Sequence, residues 1–290
     1  VFQLTQKSGG AVEGPIAVFD SGVGGLTVVK ELLKQLPNES IVYYGDTARA
    51  PYGPRPKQEV VEFSKEIVHY LQRYHPKMIV IACNTATAVA LEEIKAQLDI
   101  PVIGVIEPGA RAALQATQTG YIAVIGTEGT IKSKAYDKAL LEHSDHVQMI
   151  SQACPTFVPL VEKGEYYSNQ AYEKVHDALS HMATYPIDCL ILGCTHYPFL
   201  ADAIAAVMGS GVKLIHSAEE TAREVKHIVA QLQLEHELSA GGAYSHATGS
   251  EQRFVCSGEM ATFRSIVEQW LGLELAGKNV VYEQSPKVIT

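Results

Sequence analysis

Two cysteines stand in matched surroundings, and their chemistry comes first. Ile79-Val80-Ile81-Ala82-Cys83-Asn84-Thr85 has an echo 111 residues later at Leu190-Ile191-Leu192-Gly193-Cys194-Thr195-His196. Each thiol follows an apolar strand and precedes an expected helix start. There it meets unpaired backbone N–H groups and the positive end of a helix, which can lower a thiol pKa from ~8.5. One such Cys is as well explained by packing, the usual fate of a free thiol. Two in the same context, each followed by polar side chains, point to reactivity. Cys189, inside a strand, and Cys154 and Cys256, without polar escort, are read as packing residues.

Other groups gather around the same pattern. His196, two residues after Cys194, is either structural or a proton partner that favours a thiolate. Asp20-Ser21-Gly22-Val23-Gly24-Gly25 follows the first strand and opens a helix. A dinucleotide fingerprint wants Gly where Thr27 stands, and the P-loop spacing is absent. A carboxylate or ammonium ligand at Asp20, Ser21 and these amides fits as well, and so does Asp20 as a simple N-cap. Tyr52-Gly53-Pro54 either lines the same cleft or only turns the chain. Glu162, after Pro159-Leu160-Val161, is a third acid or a surface carboxylate. His143 and His146 lack any HEXXH or clustered Cys/His context, so no metal site is expected. No SxxK or GxSxG element supports a serine nucleophile, and a Cys–His hydrolase leaves the second matched Cys unexplained.

Proton transfer on both faces of one carbon explains both thiols. A base on one face removes a proton and an acid on the other returns one, inverting the stereocentre. Each direction needs one thiolate and one thiol, with the roles exchanged for the opposite enantiomer. Thiols suit this because their pKa lies near working pH. Deprotonating a carbon beside a carboxylate also needs strong electrostatic stabilisation in a dry cleft.

The elements that must position these groups alternate. Strands are expected at 15–19, 40–44, 77–81, 102–105, 121–125, 147–151, 188–192, 212–215 and 252–255. Helices are expected at 26–36, 56–74, 85–98, 128–141, 169–183, 218–234 and 259–271. Alternation with nearly continuous apolar strands predicts an α/β fold of parallel sheets covered on both faces. Ile16-Ala17-Val18-Phe19-Asp20-Ser21 also has an echo, at Ile122-Ala123-Val124-Ile125-Gly126-Thr127, 106 residues on. Two similar offsets suggest two pseudo-symmetric copies of one α/β unit, with the site in the cleft between them. The first domain is expected at 15–107 plus 218–290 and the second at 108–217, with 1–14 disordered.

Composition narrows the function classes. The 290 residues carry 47% apolar side chains, enough for a sizeable core, and a net charge of −9. No Lys/Arg run supplies the basic patch of a nucleic-acid binder. No apolar run approaches the ~20 residues of a membrane span. Five cysteines without a CxxC pair suit a reducing cytoplasm.

Val18-Phe19-Asp20-Ser21-Gly22-Val23-Gly24-Gly25, Pro51-Tyr52-Gly53, Ala82-Cys83-Asn84-Thr85 and Gly193-Cys194-Thr195-His196-Tyr197-Pro198 together resemble the cofactor-independent aspartate/glutamate racemase superfamily, in its glutamate branch. The match runs from about Pro15 to about Gly272. The resemblance implies interconversion of L- and D-glutamate, without cofactor or metal, by a cytoplasmic homodimer supplying D-glutamate for peptidoglycan. It implies that Cys83 acts on D-glutamate and Cys194 on L-glutamate, assisted by Asp20, His196 and Glu162. Asp20, Ser21, Tyr52, Gly53, Asn84, Thr85, Thr195 and His196 would hold the substrate, with Thr127 a further candidate. Relatives acting on aspartate tend to carry Glu where His196 stands, which favours glutamate. The Asp46-Thr47-Ala48-Arg49 run looks more like Gram-positive members than those controlled by a cell-wall precursor. Aspartate or another acidic substrate, and a non-catalytic module for a small anion, are the competing readings.

Overall fold

The computed structural model describes residues 14–240 and 250–286, with the backbone alone for 234–240. The expected disordered segment therefore lies outside the described residues, apart from Gly14. Segments of four to six residues become the strands β1 (Ile16–Asp20), β2 (Ile41–Gly45), β3 (Met78–Ile81), β4 (Val102–Gly104), β5 (Tyr121–Gly126), β6 (Gln148–Ala153), β7 (Cys189–Gly193), β8 (Lys213–His216), β9 (Glu251–Cys256) and β10 (Asn279–Gln284), β4 being shorter still. They form two parallel sheets. One has the order β10-β9-β2-β1-β3-β4 and the other β6-β5-β7-β8.

The second sheet repeats the last four places of the first: β6, β5, β7 and β8 stand where β2, β1, β3 and β4 stand. The two sequence echoes are thus equivalent strands, β1 with β5 and β3 with β7. The repeat is a repeat of structure, and the fold is two pseudo-symmetric α/β domains.

Helices cover both faces of each sheet. They are α1 (Leu26–Gln35), α2 (Lys57–Gln72), α3 (Asn84–Lys95), α4 (Ile106–Ala116), α5 (Glu128–Ser133), α6 (Ala135–His143), α7 (Phe157–Glu162), α8 (Asn169–Leu179), α9 (Ala201–Met208), α10 (Ser217–Ala240) and α11 (Met260–Leu271). Strand side chains alternate between faces. Ile16 and Val18 pack with α1, α10 and α11, whereas Ala17 and Phe19 pack with α2 and α3. Ala123 and Ile125 face α7, α8 and α9, whereas Ile122 and Val124 face α4 and α6. Each fully buried Leu, Ile, Val or Phe contributes about 1.5–3 kcal/mol. Burial on both faces is why these strands read as unbroken apolar runs.

Several elements differ from the sequence reading. The expected helix 128–141 breaks at Lys134, whose φ is +56°. Ser133 causes the competition: its hydroxyl donates to the Thr130 carbonyl at 2.6 Å and accepts the Ala135 N–H at 3.1 Å. α4 and α7 carry Pro108 and Pro159, which read as breakers yet sit in the first turn, where no N–H partner is lost. β10 is a half-exposed edge strand with neighbours on one side only, so it lacks the apolar run of central strands such as β1 and β3. Among the described residues no helix is long and apolar enough to cross a membrane, and no group of three His, Cys, Asp or Glu could hold a metal.

Candidate active site

Both thiols sit at carboxyl ends of equivalent strands, but their local environments differ. Cys83 is the N-cap of α3, and its sulfur accepts the Ala86 N–H at 3.4 Å and donates to Ser21 Oγ at 3.7 Å. Cys194 leads instead into a 3-10 turn at Tyr197–Leu200, and α9 begins only at Ala201. The expected helix dipole therefore serves Cys83 and not Cys194; Pro198 shapes the tighter turn. The neighbour of Cys194 is His196, whose Nδ1 lies 3.9 Å from the sulfur.

Charge distinguishes the two ends as well. Burial, with the Asp20 charge beside it, pushes the Cys83 thiol up to about 12, against the pull of the Ala86 N–H and Ser21. Burial thus overrides the lowering expected of an N-cap. Burial alone would push His196 down, but Cys194, Glu162 and Asp20 outweigh it and carry it up to about 10. Glu162 closes α7 with its side chain 37% exposed, and its Oε1 lies 3.6 Å from His196 Nε2. It is both a surface carboxylate and a counter-ion.

Asp20 ends β1 and is not a helix N-cap, since α1 begins six residues later. Its Oδ1 accepts the Gly22 N–H at 2.9 Å, and its Oδ2 accepts the Thr195 hydroxyl at 3.3 Å. Burial pushes this carboxyl above its ordinary range, against the pull of His196 and of the Gly22 and Gly25 N–H groups. The Asp20–Thr195 bond joins the two domains across the cleft.

The substrate-holding candidates divide. Asn84 and Thr85 open α3 and are buried. Asn84 Oδ1 accepts the Tyr136 hydroxyl at 2.7 Å, while its Nδ2 has no partner. Thr85 Oγ1 lies 2.9 Å from Thr127 Oγ1 and 3.3 Å from Thr130 Oγ1, a triangle closed by a 3.0 Å contact between Thr127 and Thr130. Tyr52 does not offer its hydroxyl, which donates to the buried Asp46. Gly53 lines the cleft: its carbonyl accepts the Gly129 N–H at 2.9 Å, and a Cβ there would meet Thr127 Cβ at 2.8 Å. The loop is therefore more than a turn.

Three residues of this cluster escaped the sequence reading. Thr130 and Tyr136 look like ordinary helix positions. Asp46 reads as one residue of a turn, yet it also accepts from Arg49 Nε and Ser257 Oγ, each at 2.7 Å. Only the Thr127-to-Thr130 spacing of one helical turn carried a signal.

A cavity of about 550 Å³ is lined by Gly22, Glu162, His196 and Trp270 among others. Neither Cys83 nor Cys194 lines it, and both are at most 6% exposed. The cleft is closed over them.

A family model described as Asp/Glu/Hydantoin racemase matches residues 18–225. The chain is 49% identical over 267 residues to a glutamate racemase of Bacillus cereus, covering 92% of this chain and 96% of that protein. It is 46% identical over 269 residues to one of Streptococcus agalactiae, at 92% and 98% coverage. A crystal structure of a glutamate racemase isoform from Bacillus anthracis superposes with a TM-score of 0.85 at 42% identity, covering 95% and 98%. An aspartate racemase homologue from Pyrococcus horikoshii, at 16% identity and TM-score 0.55 over 75% of this chain and all of that one, shares the fold alone.

Proposed function

We propose, from the premise that the chain belongs to the Asp/Glu/hydantoin racemase family, that it interconverts L- and D-glutamate by two-thiol proton transfer at Cα. One observation supports this most: two buried thiols end equivalent strands of two like-ordered sheets, close enough for the charge of Cys194 to act on Cys83. Identity of 46–49% to glutamate racemases over nine-tenths of the chain supports glutamate over aspartate.

On L-glutamate, Cys194 as thiolate takes the Cα proton, with the His196 imidazolium as the positive partner at its sulfur. The electron pair left at Cα takes the proton of the Cys83 thiol on the opposite face, and D-glutamate results. Cys194 is then the thiol and Cys83 the thiolate, the pair required for the reverse reaction. Asp20 assists at Cys83, and Glu162 holds His196. Proton transfer by a placed side chain contributes about 10²–10⁴-fold. Donors aimed at the developing charge contribute more in a dry site. Those donors are Asn84 Nδ2, the Thr85 hydroxyl, Ser21, and the backbone N–H groups of Tyr52 and Gly53, with Thr127 beside them, while Thr195 holds Asp20.

The product suits peptidoglycan synthesis in the cytoplasm, and the chain works as a homodimer. The test is proton NMR of each glutamate enantiomer in D2O with metal-free protein, following Cα-proton loss and optical rotation. Exchange with racemisation from both enantiomers is expected. Turnover of aspartate alone would reassign the substrate. Silence with both, in protein whose thiols glutamate does not protect from alkylation, would favour an anion-binding module.

A further inference from the structure

We propose that Tyr136 is a positioning residue that aims Asn84 at the substrate carboxylate, locking one reactive-thiol loop to the other. The inference rests on the racemase reading above and adds to it a residue from the opposite domain.

Tyr136 occupies the start of α6, just after the break at Lys134. Without that break an unbroken helix would carry this side chain round to a different face. Its ring is 2% exposed and packs among Ile122, Val124 and Ile191. A Cβ added at Gly193 would lie 3.0 Å from Tyr136 Cε2, so the ring rests on the residue immediately before Cys194. Its hydroxyl donates to Oδ1 of Asn84, the residue immediately after Cys83. One side chain thus touches both loops.

The consequence falls on the Asn84 amide. Its Nδ2 is buried without a partner, and a buried N–H is costly unless something accepts from it. Held by Oδ1, the amide turns this free donor away from Tyr136. A carboxylate, which only accepts, satisfies it. The reversed amide would show the carboxylate an oxygen and repel it. Burial pushes the Tyr136 phenol above its ordinary range, against a smaller opposing effect of Ser217, so the hydroxyl stays a neutral donor.

Tyr136→Phe keeps the ring and removes the donor. In protein that racemises glutamate, KM for both enantiomers should rise about tenfold, the weight of one hydrogen bond. Turnover and its pH profile should move little, because no titrating group of the reaction changes. Asn84→Ala should raise KM at least as far. The double variant should then show no further loss, since Tyr136 acts through Asn84. A Tyr136→Phe enzyme with unchanged KM beside a weakened Asn84→Ala enzyme overturns the inference and leaves the racemase reading intact. Independent, multiplying losses also overturn it. Wild-type protein inert towards glutamate removes the reading itself. If Tyr136→Phe does not fold, a crystal structure of the wild type with D-glutamate decides. Asn84 Nδ2 on the substrate carboxylate with Tyr136 on Oδ1 supports the inference, and an amide turned the other way refutes it.

Discussion

Thr195 Oγ1 donates to Asp20 Oδ2 at 3.3 Å, so the residue after Cys194 reaches the residue that ends β1 in the other domain. Gly24 makes that approach possible: a Cβ there would lie 2.3 Å from Thr195 Oγ1 and 2.6 Å from His196 Nδ1. Gly24→Ala should hold the domains apart and lower kcat/KM about 100-fold, the cost of misplacing reacting groups by about 1 Å. The clash lies between domains, so the melting temperature should change little. Steady-state kinetics and a circular-dichroism melt check both halves of this expectation.

Removing either thiol should stop racemisation and leave half of the exchange chemistry. Cys83→Ser and Cys194→Ser should each lower kcat/KM by roughly 10³-fold or more. The loss must be equal for the two enantiomers, because mirror images have equal free energies. In D2O, Cys83→Ser should still wash out the Cα proton of L-glutamate without inversion, and Cys194→Ser that of D-glutamate. NMR on separate enantiomers reads this, and wash-out from the wrong enantiomer would reverse the assignment of faces.

The raised His196 links stability to pH. Its ordinary value is 6.5 and its folded value about 10. A group raised on folding contributes stability that is fully present below its unfolded pKa and is lost as pH rises through the folded one. The wild type should therefore lose stability relative to His196→Asn between about pH 6.5 and 10, and the difference should be flat below that window. Paired thermal melts across the range measure it.

Asp46 is a structural hub and should show it in stability. It is fully buried and accepts from Arg49, Tyr52 and Ser257. Asp46→Ala strands these donors and removes one of the two carboxylates paired with the buried Arg49, leaving Glu66 and the Phe63 ring beside it. A destabilisation of about 3 kcal/mol is expected. Tyr52→Phe should cost less, about 1 kcal/mol. Denaturant titration separates the two.

Much of this was legible along the chain. Apolar runs buried on both faces cannot be mistaken for surface segments, so the strands around β1, β3, β5 and β7 stood out, as did the echo between them. The two thiols were legible for the same reason, because polar groups rarely follow a buried strand unless they are used. Other segments were not legible, for separate reasons: β10 has a neighbour on one side only, α4 and α7 carry proline in the first turn, and the break at Lys134 is set by the Ser133 hydroxyl.

The sequence by itself determined the two-copy α/β fold, the strand ends that carry Cys83 and Cys194, and the polar residues beside them, because local periodicity and spacing encode all three. Tertiary structure alone decided what those groups meet. It placed a 3-10 turn after Cys194, gave Tyr52 to Asp46, brought Thr130 to Thr85, and set Tyr136 between the two thiol loops. The last two join residues 45 and 52 positions apart, whereas the pair at Tyr52 and the turn are local. Burial decided the charges too: the same N-cap that lowers a thiol in water sits beside one pushed up to about 12, because desolvation depends on everything packed around the sulfur.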